Sequence, residues 1–265
     1  MNVSSSASTN TLSIGITGEL AHNHNEICEF LSKLHEYSCR EMNISLLLLS
    51  TISDGRLIPL LTTFSKKGLV FNQVVMTQDE QRINIAQVMS PDIIMTTNRE
   101  FSEQCKSENL PSVLLDDLQS HRTIGDSLHF AFDGDAVLFC HNAQLVADND
   151  GIDAFEQHEE THAEVVMGKG RLFNFINKID ALQQVHRHIK WSLVTARGGK
   201  ALKRAMHTIE AWNLHPSQCF FMEGSDKTPI LKSIDSDIFF DDHLNHCKRA
   251  SGHMLVGHVQ VSVKS

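Results

Sequence analysis

Short apolar runs alternate along the chain with segments whose apolar residues recur at helical spacing, the pattern of a parallel sheet covered by helices. In the second half, Leu128 to Phe132, Trp191 to Val194, Cys219 to Met222, Ile238 to Phe240 and Met254 to Val256 predict strands. Between them, Leu172, Phe175, Ile176 and Ile179 repeat at helical spacing, as do Leu202, Ala205, Met206 and Ile209. Each set predicts a helix laying one apolar stripe on the sheet. The expected fold class is α/β, built from Rossmann-like parallel-sheet α/β/α units.

The pattern repeats. Shifting residues 46 to 115 by 145 positions lays them on 191 to 260 without a gap: Leu48 meets Leu193, Leu69 meets Leu214, Gln73 meets Gln218, Asp92-Ile93 meets Asp237-Ile238 and Leu110 meets Leu255. The first strands also align, Thr17-Gly18-Glu19 against Asp133-Gly134-Asp135. From Thr17 to Ser50 is 33 positions, whereas from Asp133 to Thr195 is 62, so the second copy carries 29 more. The expected organisation is a disordered tail (1–11), a first unit (12–117), a polar junction near Leu118 to Asp126, and a second unit (127–265) with a cap inserted at about 140–170. His158-Glu159-Glu160 lies inside that cap and Gly168-Lys169-Gly170 closes it.

Composition narrows the function classes. Of 265 residues, 41% are hydrophobic and 21% charged, close to globular averages. Lys and Arg total 23 against 32 Asp and Glu, a formal charge of -9. That balance disfavours a nucleic-acid polymer or an anionic membrane as partner, so an anionic ligand must be held locally. The longest apolar run, Ile44 to Leu49, contains Ser45 and falls far short of the roughly 20 residues of a membrane span. Met1 to Thr11 lacks the basic and apolar regions of a signal peptide, and six cysteines without a C-x-x-C pair suit reduced thiols. The expected location is the cytoplasm. Oligomeric state stays open, a homo-oligomer included.

In an open parallel sheet the ligand lies beyond the carboxyl ends of the strands, and there the second half gathers its chemistry. Its strands run into Asp133-Gly134-Asp135, Thr195-Ala196-Arg197, Glu223-Gly224-Ser225-Asp226-Lys227 and Asp241-Asp242. Acids at one sheet edge repel unless a cation sits among them, and hard oxygen ligands around an open site indicate magnesium, which also binds substrate phosphate. Phosphoryl transfer fits this set. A carboxylate nucleophile splits the reaction through an aspartyl phosphate, and a second acid two residues away protonates the leaving oxygen and then activates water.

These four segments resemble the motifs of haloacid-dehalogenase-like phosphatases. More narrowly, Phe132-Asp133-Gly134-Asp135-Ala136-Val137-Leu138-Phe139, Leu193-Val194-Thr195-Ala196-Arg197, Asp226-Lys227 with Pro229, and Asp237-Ile238-Phe239-Phe240-Asp241-Asp242 resemble the cytosolic 5′-nucleotidase family that includes AMP-preferring enzymes, as do Phe155 and His158-Glu159 in the cap. The resemblance implies a magnesium-dependent hydrolase of nucleoside 5′-monophosphates. It makes Asp133 the nucleophile, Asp135 the general acid/base, and Thr195 and Lys227 the phosphoryl holders. It places magnesium on the Asp133 carboxylate, the Asp135 main-chain carbonyl, and Asp241 or Asp242. Arg197, Phe155, His158 and Lys169 are the candidate substrate contacts. The family's Ser and acidic residues after the first motif are here Cys140-His141-Asn142, a departure that falls on the cap.

Two other readings stand beside this one: a phosphatase of a different small phosphomonoester, such as a sugar phosphate, and a nucleotide sensor without turnover. The first copy carries Thr17, Glu19, Ser50, Arg82 and Thr96-Thr97 where the second has Asp133, Asp135, Thr195, Lys227 and Asp241-Asp242. It reads as a related unit without the catalytic acids, serving as scaffold or dimerisation surface. His243, His246 and Cys247 adjoin the acids, but lone histidines are more often surface or core residues than metal ligands.

Overall fold

A computed structural model describes residues 10–21, 24–115 and 123–261, with the side chains of 143, 144, 147 and 148 outside the description. Most of the expected tail and of the polar junction lies outside the described residues. Thr11 already belongs to the first strand.

The first half runs β1 (Thr11–Thr17), α1 (Asn25–Glu36), β2 (Asn43–Thr51), α2 (Leu57–Lys66), β3 (Gln73–Thr77), α3 (Asp79–Met89), β4 (Ile93–Thr96), α4 (Arg99–Ser107) and β5 (Ser112–Leu114). The second runs β6 (Leu128–Phe132), α5 (Asn142–Asp150), α6 (Ile152–Thr161), α7 (Phe173–Val185), β7 (Ile189–Thr195), α8 (Ala201–Ala211), β8 (Gln218–Phe221), α9 (Thr228–Ser233), β9 (Ile238–Asp241), α10 (Leu244–Ala250) and β10 (Leu255–Val259). All ten strands form one sheet, in the order β3-β2-β1-β4-β5-β10-β9-β6-β7-β8. Each half has the same internal order, and every neighbouring pair is parallel except β5 with β10. The α/β class expected from the alternation is the one observed.

The shift of 145 lays β4 onto β9 end to end, and starts β3 with β8 and α4 with α10. The antiparallel seam pairs Leu114 with His258 and Val113 with Val259. Gly257 makes that seam close: a Cβ there would stand 2.7 Å from the Phe240 ring and 3.2 Å from Val113 Cβ.

One apolar cluster runs through both halves. Phe30 of α1 meets Phe130 of β6 edge to face at 5.2 Å, and Phe132 stacks on Phe240 at 5.1 Å. Such aromatic contacts each add roughly 0.5–1.5 kcal/mol beyond area burial. Trp191 is fully buried and donates its ring N–H to Asp180 Oδ1 at 2.7 Å, so its one polar atom is satisfied.

The insertion forms α5 and α6. Its base is a short ladder in which Gly170 N donates to Leu138 O at 2.8 Å, Cys140 N to Gly168 O at 2.8 Å and Leu172 N to Val137 O at 3.0 Å. A Cβ on Gly170 would lie 2.4 Å from Val137 O. Gly168-Lys169-Gly170 is thus part of the closure of the inserted segment on its own stem.

The expected stripe of α7 holds, with Leu172, Phe175, Ile176 and Ile179 all buried. That of α8 does not: Leu202 is exposed, while Arg204 and Thr208 are buried beside Ala205 and Ile209. The cap explains the rotation. Arg204 Nη1 donates to Glu159 of α6 at 2.7 Å, and Thr208 Oγ1 accepts from Met167 N at 3.1 Å.

Candidate active site

Parallel strands deliver their carboxyl ends to one edge, and four of those ends build the site. Asp133 follows β6, its N–H donating to Phe240 O of β9 at 2.8 Å, so the nucleophile candidate is fixed to two adjacent strands. Thr195 ends β7, Lys227 immediately precedes α9, and Asp241 ends β9. Gly134 lets the first and second segments touch, since a Cβ there would lie 2.7 Å from Thr195 Oγ1.

Lys227 is the centre of the charge arrangement. Its Nζ lies 2.7 Å from Asp133 Oδ1 and 2.7 Å from Asp241 Oδ2, with all three residues buried. Burial works against the ammonium, but the two carboxylates hold its pKa above the ordinary lysine value. Asp241 is occupied on both oxygens: Oδ2 also contacts His246 Nδ1 at 3.0 Å, and Oδ1 accepts from His243 N at 2.7 Å. Despite its burial, the His246 and Lys227 contacts hold Asp241 below the usual carboxylate range.

The other acids are less well matched. Burial, opposed by Lys227 and reinforced by nearby Asp241, pushes Asp133 up to about 7. Burial, together with Asp133 and Asp241, pushes Asp242 up to about 8. Asp242 Oδ1 is buried with no hydrogen-bond partner among the described residues. Ligand atoms of Asp133, Asp241 and Asp242 lie within 4.8 Å of one another. An orphaned carboxylate oxygen beside a second under-neutralised acid is the donor set that a hard divalent cation satisfies. Since Asp241 is already spent on Lys227, His243 and His246, Asp133 and Asp242 are the better-disposed pair.

Arg197 sits beside Asp135. Its Nε and Nη2 clasp Asp135 at 2.9 Å to Oδ2 and 2.8 Å to Oδ1, while Nη1 donates to Glu159. A cavity of about 370 Å³ opens beside this fork, lined by Asp135, Arg197, Phe155, Glu156, Gly198 and Glu223 among others, a size in the range of small-molecule sites. The turn beneath it places Glu223 and Gly224 at φ 47° and 75°, and a Cβ on Gly198 would stand 2.7 Å from Glu223 Cβ. Gly198 and Glu223 are therefore in close contact along the cavity lining.

Of the residues expected to read the substrate, Arg197 and Phe155 line this cavity, with the guanidinium 5.4 Å from the Phe155 ring centre. His158 is turned toward Glu159 Oε1 at 3.1 Å and stacks on His162. Lys169 lines a different cavity, with Cys140, His141 and Arg171, and sits over the Phe173 ring at 4.2 Å. The structure adds Arg204 and Glu156 to the residues around the site, and gives Glu159, Glu223 and His246, already named from the sequence, their places there. Glu156 and Glu159 fall one helical turn apart on α6, a spacing legible in the chain, but which acid turns inward depends on Arg204 of another helix.

In the first half, the matching positions make a different set of bonds. Thr17 Oγ1 donates to Thr96 Oγ1 at 3.0 Å, Arg82 pairs with Glu19 at 2.8 Å, and Ser50 Oγ donates to Asp54 Oδ2 at 2.9 Å.

The comparisons with known proteins agree with the motifs. A family model described as 5′-nucleotidase matches residues 23–265. Human cytosolic 5′-nucleotidase 1B is 27% identical over 203 residues, an alignment covering 73% of this chain and 33% of that protein. The chain thus spans about a third of the relative's length. A solved S. aureus MnaA-UDP co-structure aligns over 91% of this chain and 76% of its own, with 8% identity and a TM-score of 0.27; that likeness carries no argument. With a family model covering nearly the whole sequence and the motif residues assembled at one sheet edge, the chain belongs to the 5′-nucleotidase family.

Proposed function

We propose that the protein is a magnesium-dependent 5′-nucleotidase of haloacid-dehalogenase-like type that converts nucleoside 5′-monophosphates to nucleoside and phosphate. The observation that carries this reading is the buried Lys227 between Asp133 and Asp241, with Asp242 left under-neutralised beside them. Lys227 lets an anionic nucleophile face an anionic phosphate. Asp133, Asp242 and the Asp135 main-chain carbonyl would hold magnesium, which would supply the remaining charge neutralisation.

In the first step an Asp133 carboxylate oxygen attacks phosphorus, the bond from phosphorus to the ester oxygen breaks, and Asp135 gives that oxygen its proton. In the second, Asp135 takes a proton from water, the resulting hydroxide attacks phosphorus, and the acyl phosphate bond breaks to return Asp133 and release inorganic phosphate. Thr195 and Lys227 hold the phosphoryl oxygens through both steps. The cavity beside Asp135 and Arg197 receives the nucleoside, with the Phe155 ring as its apolar wall.

The test is phosphate release from AMP, IMP, dCMP and glucose 6-phosphate, with and without magnesium. Magnesium-dependent release from the nucleotides is expected. Release from glucose 6-phosphate alone would shift the substrate class, and AMP binding without any release would leave a sensor. Asp133→Asn should abolish turnover while sparing AMP binding; retained activity would remove Asp133 as nucleophile. Residues 12–117 contribute no second catalytic centre in this reading, because Thr17 and Thr96 hydrogen-bond directly where the second half has its buried acids. Asp133→Asn therefore tests that as well, since any residual turnover would place chemistry elsewhere in the chain.

A further inference from the structure

Glu159 of the cap is completely buried, and two guanidiniums share its carboxylate. Oε2 accepts from Arg197 Nη1, and Oε1 accepts from Arg204 Nη1 at 2.7 Å. Arg197 meanwhile presents Nε and Nη2 to the two oxygens of Asp135. The four side chains form a row of alternating charge, Asp135, Arg197, Glu159, Arg204, that runs from the reaction centre through the cap to α8. Arg204 is also tied to the cap's main chain, its Nε donating to Val165 O at 2.9 Å.

A guanidinium is a rigid plane with donors in a fixed fork. Once Nη1 is bound to Glu159, the direction of the Nε and Nη2 edge is set, and with it both oxygens of Asp135. Burial works against an ionised Glu159, but Arg197, followed by Arg204, holds it below the usual carboxylate range.

We propose that Glu159 is a positioning residue which, through Arg197, orients the Asp135 carboxyl for proton transfer to the leaving oxygen, so that seating of the cap and acid catalysis are one event. This rests on the nucleotidase reading for the role of Asp135. It has a signature that a purely structural contact lacks. A poor leaving group needs the proton, whereas p-nitrophenolate departs without it, and kcat/KM reports only the steps through the first phosphoryl transfer.

The experiment measures kcat/KM for a series of substituted phenyl phosphates, from p-nitrophenyl to phenyl, with magnesium, for the full chain and for Glu159→Gln. Positioned general acids contribute about 10²-fold or more. Glu159→Gln is therefore expected to lower kcat/KM for phenyl phosphate by about 30- to 100-fold and for p-nitrophenyl phosphate by less than about threefold, steepening the dependence on leaving-group basicity. Glu159→Asp should restore part of the original slope. A parallel loss across the whole series would overturn the proposal, because a cap that merely seats poorly slows every ester alike.

Glu159→Gln leaves Arg204 with one buried charge too many, so the pair Glu159→Gln with Arg204→Met is made beside it. The same steepened slope is expected in the pair, and a wild-type slope there overturns the assignment. If the unaltered protein releases phosphate from no aryl phosphate and none from AMP, the nucleotidase reading itself fails, an outcome distinct from equal slopes.

Discussion

Lys227 shows how much of the site depends on a single side chain. It is 1% exposed and neutralises two buried carboxylates. Removing one partner of such a pair is typically destabilising by about 3–5 kcal/mol, because an uncompensated charge stays inside. Lys227→Met is therefore expected to lower the melting temperature and, on the proposed function, magnesium-dependent turnover as well. A pairing with Asp241→Asn should recover stability without recovering activity, and thermal melts beside a phosphate-release assay separate the two. At this scale the chain was readable where chemistry coincides with a strand end. Asp133, Thr195, Lys227, Asp241 and Asp242 all follow or close apolar runs, or lie a fixed turn beyond them. That Asp242 Oδ1 is buried without a partner among the described residues while Asp241 takes three donors was not readable, since it depends on side-chain direction at a single β9 terminus.

The insertion tests whether the chain could be read element by element. Its place between β6 and β7 follows from counting, because the repeat leaves 29 surplus positions there. Its mode of attachment does not. The apolar stripe suggested that Leu202 faces inward on α8, but Glu159 draws Arg204 into that face and turns Leu202 to solvent. Hydrophobic periodicity counts apolar residues and assigns polar ones to water, so a buried ion row between helices far apart in sequence is invisible to it. The cap stem yields its own prediction. Gly170→Ala forces a methyl group against Val137 O, and overpacking of this kind typically costs about 1–3 kcal/mol. Faster hydrogen exchange confined to α5, α6 and their stem is expected, and unchanged exchange there would show that the ladder tolerates the methyl.

Across the whole molecule, the raised acids couple stability to pH and to metal. Asp133 and Asp242 stand at about 7 and about 8 when no cation compensates them. A carboxyl whose folded-state pKa lies above its unfolded value contributes stability below the unfolded value and loses it as pH rises through the folded one. The metal-free protein is therefore expected to lose melting temperature between about pH 4 and pH 8 from these two groups. If magnesium is held there as proposed, it binds the ionised form, so its stabilisation, which grows with ligand concentration, should be larger at pH 8 than at pH 6. Calorimetric scans in chelator and in magnesium at both pH values check this, and an equal metal response at both would contradict it.

The antiparallel meeting of β5 and β10 has a consequence for taking the chain apart. Strand order inside each half is the same, so the seam joins two related edges much as a symmetric dimer would, but within one polypeptide. Cutting the chain between the halves would expose β10 as an unprotected edge, with Gly257 offering no side chain to keep another strand away. A fragment of residues 127–265 produced alone should self-associate through that edge, and adding residues 10–115 in trans should return it to a one-to-one pair. If so, the first half would fill an edge that the second half alone pairs with another copy of itself.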